Sequence, residues 1–257
     1  MFILGFFMKQ TLISASKKAA SHLMKNYGKI RMVRTKDQDS YFTNVDLESE
    51  KMIISEIQKK YPDHSIISEE CGSVGKKSDY IWYIDPIDGT HNYINNFPLF
   101  GVSIGVSYKK QPLFGAIHLP YFNEFYFAEK GKGAFCNGKR LSVSVKRDAK
   151  KAFIVTDLTL RYNAKKKLRT LRKLQDNVYD MRALGCAVVA YTMVARGAAD
   201  ALFSTQMFPW DVAAGALIVE EAGGRVTNFA GRGWEPRKNT FLATNRKIHG
   251  QMLDILK

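Results

Sequence analysis

The sequence predicts an α+β protein in which helices are layered on sheets, on three observations. Two segments of helical period open the chain, a succession of short apolar runs of strand length follows, and strand and helix patterns alternate through the second half. No internal repeat, low-complexity tract or Pro/Gly-rich linker interrupts them, so residues 11–257 are expected to form a single domain.

Taken in order, residues 1–10 begin MFILGFFM. They are apolar but too short to span a bilayer. They lack the charged n-region and small-residue cleavage site of a signal peptide, and read as an extension ahead of a start at Met8. The first helix is expected over Thr11–Tyr27, with Leu12, Ala15, Ala19, Leu23 and Met24 inward. Residues 29–43 are polar and charged and read as a mobile loop. A second helix follows Asn44 or Asp46, buries Met52, Ile53 and Ile57, and stops at Pro62. SIIS (65–68) and YIWYI (80–84) are strand-length runs, and FGVSIGVSY, PLFGAIHL and EFYFAE succeed one another as an antiparallel meander would. Asn137-Gly138 supplies a hairpin turn before the alternating LSVSV of 141–145. The second half reads FIVT, a helix over AKKKLRTLRKL (164–174), VYDMRA, a helix from Cys186, DALFS, a helix from Asp211, RVTNF and a last helix near Lys247.

The chain carries 39 Lys and Arg against 24 Asp and Glu, a net charge of +15. In the 164–174 helix, Leu168, Leu171 and Leu174 recur at helical spacing and leave a basic outer face. A solvated surface is the plainer expectation for that face, and RNA or another polyanion is the alternative. The excess charge also steers anionic substrates at long range. Three cysteines without paired spacing suit a reducing cytoplasm. None opens a Cys-x5-Arg phosphatase loop, because the sixth residues after them are Lys77, Ser142 and Thr192. The five histidines are scattered, with no pair at helical ligand spacing, which argues against a zinc site. GAFCNGK (133–139) has P-loop spacing, but Arg140 stands where a hydroxyl must reach the metal and no helix follows, so it reads as a Gly-rich hairpin.

The informative stretch is YIDPIDGTHNY. Asp85 and Asp88 are close enough to repel unless a proton or cation intervenes. Pro86 fixes one dihedral and removes a donor, which frees the Ile87 carbonyl to turn inward where the strand is expected to end. Gly89 permits a left-handed turn. Such hard oxygen donors suit Mg²⁺, and two cations roughly 3.5–4 Å apart sharing a carboxylate would activate a water between them. An Asx-turn is the competing account. A haloacid-dehalogenase motif, D-x-D-G-T, is disfavoured by the second intervening residue. ISEE (67–70) brings Glu69 and Glu70 to another strand end. Asp211 in FPWDVAAGALIVEEAGG reads as the N-cap of an apolar helix closed by Gly223-Gly224, with Glu220 and Glu221 on its surface.

Together, SEE, WYIDPIDGTHNY and PWDVAAGALIVEEAGG resemble the inositol monophosphatase family of Mg²⁺-dependent, Li⁺-sensitive phosphatases. TNVD (43–46), GKGAFCNGKRLSVS and RALGCAVVAY fall in the family's order, and the resemblance runs from about Thr11 to the end of the chain. It implies the family's layered α-β-α-β-α sugar-phosphatase fold. It implies a phosphoric monoester hydrolase, inositol-1-monophosphatase foremost, acting by direct attack of a metal-activated water. Fructose-1,6-bisphosphatase and a nucleotide 3′-phosphatase for phosphoadenosine phosphate are the alternatives, and binding of RNA or transcription machinery is the non-enzymatic one.

Carried over by position, the resemblance implies that Glu69, Asp85 and the Ile87 carbonyl hold a first Mg²⁺. Asp85, Asp88 and Asp211 would hold a second, and Glu69 would help a third, giving two or three Mg²⁺ per site. Thr90, supported by Asp46, would orient the attacking water; these two and Glu69 are the catalytic candidates. Glu70 would lie behind the ligands. The Gly89 and Thr90 amides would hold phosphate oxygens, with Asp88 and Asp211 also reaching the substrate. Gly185, Cys186 and Ala187 would meet the substrate alcohol at a helix N-terminus. Ser204 stands where inositol-specific members place a glutamate, and His91 where the family commonly has Thr. The resemblance further implies a cytoplasmic homodimer without membrane partners, acting on a small sugar or cyclitol phosphate.

Overall fold

The computed structural model describes residues 2–29, 33–35, 41–158, 164–233 and 240–257. Helix α1 (Phe2–Asn26) starts at Phe2 instead of Thr11, so residues 2–10 continue the helical period and Met8 joins Leu12, Ala15, Ala19 and Leu23 in the core. Met24 is exposed, because it lies about 100° round the helix from Leu23, past the buried stripe. Part of the stretch expected as a loop is a hairpin: β1 (Val33–Thr35) pairs antiparallel with β2 (Tyr41–Thr43), while residues 30–32 and 36–40 lie outside the described residues. Thr43 caps α2 (Asn44–Gln58), its Oγ1 accepting from the amides of Val45 and Asp46. Ile53 and Ile57 are buried as expected; Ile54, not Met52, completes that face, and Met52 is exposed.

The first sheet is built from β3 (Ser65–Ser68), β4 (Gly72–Val74), β5 (Tyr80–Asp88), β6 (Gly101–Tyr108), β7 (Gln111–Leu119), β8 (Glu124–Glu129), β9 (Gly133–Cys136) and β10 (Lys139–Arg140), with the short helix α3 (Thr90–Ile94) between β5 and β6. Its order is β10-β9-β8-β7-β6-β5-β3-β4. β6 to β8 form the expected meander, whereas β3 runs parallel to β5. Asn137 and Gly138, at φ 46° and 81°, turn β9 into β10. LSVSV is not a strand: the Val143 amide donates to the Ala222 carbonyl, and Val145 is exposed.

The second sheet contains β11 (Phe153–Thr156), β12 (Asp180–Ala183), β13 (Ala201–Ser204), β14 (Arg225–Thr227) and β15 (Phe241–Thr244), in the order β12-β11-β13-β15-β14. The helices of this half are α4 (Ala164–Leu174), α5 (Ala187–Ala195), α6 (Pro209–Glu221) and α7 (His249–Leu256). β15 was not anticipated, since FLAT is a four-residue apolar run with no period to reveal it. It is nevertheless an inner strand, paired with both β13 and β14.

Three apolar clusters stack these elements into five layers. α1 and α2 cover one face of the first sheet through Leu12, Ile53, Trp82 and Ile104. α5 and α6 lie between the sheets, where Val188, Tyr191 and Leu217 meet Ile117, Val155 and Phe241. α4 and α7 cover the far face of the second sheet with Leu174 and Met252 against Ile154 and Phe203. The order is therefore α-β-α-β-α. α6 sits hard on the first sheet: a Cβ at Gly105 would fall 2.6 Å from that of Ala213, closer than side chains pack. α4 also differs from its expected face. Leu168 points to solvent, and Lys167 is buried at 4% exposure with Thr170 and Leu174. The buried stripe is 167-170-171-174, because the neighbouring α7 sets which side is covered.

Candidate active site

β5 does not end before Asp85. It continues to Asp88, and its pairing with β6 slips between Asp85↔Ser103 and Asp88↔Gly101, so that Pro86 and Ile87 face the single residue Val102. This is a bulge built on Pro86, which has no N–H to lend to the ladder. The bulge turns the backbone so that the Ile87 amide donates to Asp85 Oδ1 at 3.1 Å and the Ile87 carbonyl accepts Thr90 Oγ1 at 2.9 Å. The Pro86 carbonyl accepts Ser49 Oγ at 3.1 Å. Gly89 takes φ 84°, and a Cβ there would lie 2.7 Å from the Leu99 carbonyl oxygen, so both conformation and space demand glycine.

Glu69 arrives beside Asp85 because β3 is parallel to β5: Ser68 is level with Ile84, and the Glu69 amide donates to the Ile84 carbonyl at 3.2 Å. The segment it belongs to is held by a residue not anticipated from the sequence. Glu50, fully buried on α2, accepts from the Ser68 hydroxyl, from the amides of Glu70 and Cys71 at 3.0 and 3.2 Å, and from the Cys71 thiol at 2.6 Å. The available signal was its place on the 46-50-53-57 stripe, otherwise the inward face of that helix.

Asp211 lies in the first turn of α6, not at its N-cap. Pro209 opens the helix, so the cap position falls to Phe208, whose amide donates to Asp211 Oδ2 at 2.7 Å. Asp88 is tied to the other inner helix: its Oδ2 accepts the Val188 amide, and its carbonyl accepts the Cys186 thiol at 3.7 Å. The N-terminus formed by Gly185, Cys186 and Ala187 is thus aimed at the Asp88 carboxylate.

These acidic groups perturb one another. Burial, then the charges of Glu69, Asp88 and Asp211, raise the Asp85 carboxyl well above the usual carboxylate range. Burial also raises Asp88 to about 6, against the opposing hydrogen bonds from Val188, Cys186 and Ala187. Asp211 is raised well above the ordinary range by burial and then by Asp88. The Glu69 side chain lies close enough to Asp85 to add to the rise of its carboxyl. Among the described residues, no set of three or more His, Cys, Asp or Glu side chains closes into a metal cage. The donor chemistry nonetheless fits a hard divalent cation, for Glu69, Asp85, Asp88 and Asp211 are mutually repelling oxygen donors whose charge such an ion would offset.

Thr90 Oγ1 lies 3.2 Å from Asp46 Oδ1. Asp46, 1% exposed, accepts the Thr43 amide at 2.8 Å and the Thr43 hydroxyl at 2.6 Å through Oδ2. Burial raises its carboxyl, while these bonds lower it.

Ser204 Oγ, at the end of β13, lies 3.1 Å from Asp157 Oδ2 and 2.9 Å from the Gln206 carbonyl oxygen, either of which accepts its single proton. With Asp157, Lys167 and Asp211 it lines a cavity of about 140 Å³. Burial raises the Asp157 carboxyl to about 7, with Ser204 and Lys167 pulling the other way. Neither Asp157 nor Lys167 was singled out from the sequence. Asp157 follows the apolar FIVT run as Asp85 follows YIWYI, and that parallel was the available signal.

Among the described residues no helix is long and apolar enough to cross a membrane. Residues 7–257 match the model of the inositol monophosphatase family. The chain is 38% identical to a fructose-1,6-bisphosphatase/inositol-1-monophosphatase of Aquifex aeolicus, over 91% of this chain and 89% of that one. It is likewise 38% identical to the Nus factor SuhB of Pasteurella multocida, over 87% and 86% of the two chains. The crystal structure of the extragenic suppressor protein suhB from Bartonella henselae superposes with a TM-score of 0.93 at 32% identity, covering 97% of this chain and 98% of that one. The protein belongs to the inositol monophosphatase family, a family of metal-dependent phosphatases, and has its layered fold.

Proposed function

We propose that the protein is a Mg²⁺-dependent phosphate monoester hydrolase whose substrate is a small sugar or cyclitol phosphate, inositol 1-phosphate first among them. The observation that carries this reading is the convergence of Glu69, Asp85, Asp88 and Asp211, from three separate parts of the chain, beside the Thr90–Asp46 pair. Glu69, Asp85 and the Ile87 carbonyl are assigned to one cation and Asp85, Asp88 and Asp211 to another. Bound there, Mg²⁺ would acidify a water and neutralise charge on the transferring phosphoryl group. Thr90 gives its hydroxyl proton to Asp46 or Ile87, so its oxygen lone pair is left to accept from a water and aim it at phosphorus. The Gly89 and Thr90 amides, at the left-handed turn, are assigned to the phosphate oxygens.

The test is a panel of phosphate monoesters, including inositol 1-phosphate, fructose 1,6-bisphosphate and phosphoadenosine phosphate, assayed with Mg²⁺ and then with added Li⁺. Mg²⁺-dependent release inhibited by Li⁺ is expected; no release from any member would defeat the reading. A cytoplasmic homodimer is part of the same proposal. The Pasteurella relative's description as a Nus factor, with this chain's net charge of +15, favours a second reading in which the protein contacts RNA or transcription machinery. Salt-sensitive RNA binding that persists in Asp88→Asn would support it.

A further inference from the structure

Asn92 sits in α3, just past the Gly89 turn, and its side chain reaches across to the second half of the chain. Its Nδ2 lies 2.8 Å from the Leu99 carbonyl oxygen and 2.8 Å from that of Leu184, with the Gly185 carbonyl further off at 3.4 Å. An amide nitrogen has two protons to give, and the two short contacts use both. Leu99 leads into β6 of the first sheet. Leu184 belongs to the second, because its amide donates to the Thr156 carbonyl at 2.8 Å and prolongs the pairing of β12 with β11. One carboxamide therefore joins the β5–β6 connection to the other sheet, beside the acidic cluster.

Two left-handed turns interlock around this contact. Gly185 takes φ 64°, and a Cβ there would fall 3.2 Å from Asn92 Oδ1. Gly89 takes φ 84°, and a Cβ there would fall 3.2 Å from Cys186 Sγ. Each turn is thus packed against the other at a glycine. What they hold between them is the start of α5. The Cys186 side chain makes no capping bond to that helix, so its first-turn amides need acceptors from elsewhere. Asp88 supplies one: its Oδ2 accepts the Val188 amide, and its carbonyl accepts the Cys186 thiol. The placement of α5 against the Gly89 turn consequently fixes where the Asp88 carboxylate lies, and Asn92 fastens the residues that lead into α5.

We propose that Asn92 is a positioning residue for one of the two cations: by tying Leu184 to α3 it holds the start of α5, and with it the Asp88 carboxylate, where Asp85, Asp88 and Asp211 can bind that ion together. This rests on the phosphatase reading above, which assigns those three carboxylates to one ion. Glu69, Asp85 and the Ile87 carbonyl, assigned to the other, belong to the β3–β5 edge, and that ion should not respond to Asn92.

The test is calorimetric titration with Mn²⁺, which takes the same oxygen ligands as Mg²⁺, on the wild type, Asn92→Ala, Asn92→Asp and Asn95→Ala, with circular dichroism confirming folding. Asn92→Asp keeps the outline of the side chain and removes both donors. Asn95 is the control: it closes the same short helix, and its Nδ2 donates within it, to the His91 carbonyl at 2.8 Å. The wild type should bind two ions in separable steps. Both Asn92 variants should weaken one step about tenfold, the lower end of what losing a support behind a metal ligand costs, and leave the other unchanged. Asp211→Asn identifies which step that is, and Asn95→Ala should alter neither. In the hydrolysis assay, the Mg²⁺ concentration for half-maximal activity should rise about as much in the Asn92 variants, with kcat at saturating Mg²⁺ largely kept. The proposal is overturned if both steps weaken equally, if neither changes, or if Asn95→Ala has the same effect. It is also overturned if neither Asn92 variant folds, which would assign the side chain to the fold alone. A wild type that binds both ions but hydrolyses no ester refutes the phosphatase reading and leaves the calorimetry to decide this inference. Binding of fewer than two ions overturns the inference itself.

Discussion

Thr90 Oγ1 lies between two acceptors, 3.2 Å from Asp46 Oδ1 and 2.9 Å from the Ile87 carbonyl oxygen. A hydroxyl has one proton to donate, so either bond orients the remaining lone pair toward the acidic cluster. Thr90→Ala should lower kcat on phosphate monoesters by about a hundredfold, while Thr90→Ser should keep most of it. Steady-state kinetics on the two variants distinguish this from packing, since Ser loses the same methyl contacts as Ala. Normal turnover in Thr90→Ala would remove the hydroxyl from the mechanism.

Asp211 and Asp88 differ in what else they hold, and their variants should differ accordingly. Both Asp→Asn changes should nearly abolish turnover. Without divalent cations, Asp211→Asn removes one of four crowded charges and is expected to raise the midpoint of thermal unfolding by about 2–4 °C per kcal/mol relieved. Added Mg²⁺ should stabilise the wild type more than this variant. Asp88→Asn weakens the charged cap on α5 at the Val188 amide and should gain less. Scanning calorimetry with and without Mg²⁺ reads both effects.

Glu50 is expected to act through Glu69. Its carboxylate gathers the Ser68 hydroxyl, the amides of Glu70 and Cys71 and the Cys71 thiol. An amide side chain cannot accept all of these, so Glu50→Gln should cost about 1–3 kcal/mol of stability. It should also raise the Mg²⁺ concentration for half-maximal activity. An unchanged Mg²⁺ dependence would show that the 69–71 segment holds its place without it.

His249 gives the stability a predictable dependence on pH. It is 1% exposed, with Nε2 2.9 Å from Thr227 Oγ1 and Nδ1 2.9 Å from Thr244 Oγ1. Burial, together with the charges of Arg225 and Arg246, lowers it to about 4. The unfolded chain, titrating near the ordinary histidine value of about 6.5, then binds the additional proton between those limits. The His249 contribution should be undiminished above pH ~6.5 and fall as pH drops from there toward 4, by on the order of 2–3 kcal/mol. Urea unfolding of the wild type and His249→Gln across that range should isolate this contribution as the difference between the two slopes, because the raised carboxyls of Asp88 and Asp157 titrate in both.

The acidic cluster was legible because each member sits at the edge of an apolar run, where a charge is conspicuous. Asp85 and Asp88 follow YIWYI, Glu69 follows SIIS, and Asp211 lies in the first turn of a strongly apolar helix. Whether the strand continued past Asp85 was not legible: proline argues against strand, and only the bulge against β6 reconciles the two. Lys167 was hidden for the opposite reason. It is one lysine in AKKKLRTLRKL, and the packing of α7 beside α4, set by residues some eighty positions later, decides that this one is buried. Asp157 needed the same long-range information, because the hydroxyl that meets it comes from Ser204 on a different strand.

The parallel alignment of β3 with β5 carries a further consequence for how the site tolerates change. Two neighbouring strands running the same way reach the same rim of the sheet together, so the separation of Glu69 from Asp85 is dictated by ladder bonds such as Glu69 N to Ile84 O. Slippage by one step would reverse the facing of every side chain along β3 and exchange Glu69 for one of its neighbours, Ser68 or Glu70. Lengthening the solvent-facing connection between β4 and β5 leaves that alignment intact. Evolutionary or engineered insertions are therefore better accommodated there than a single extra residue within β3 itself.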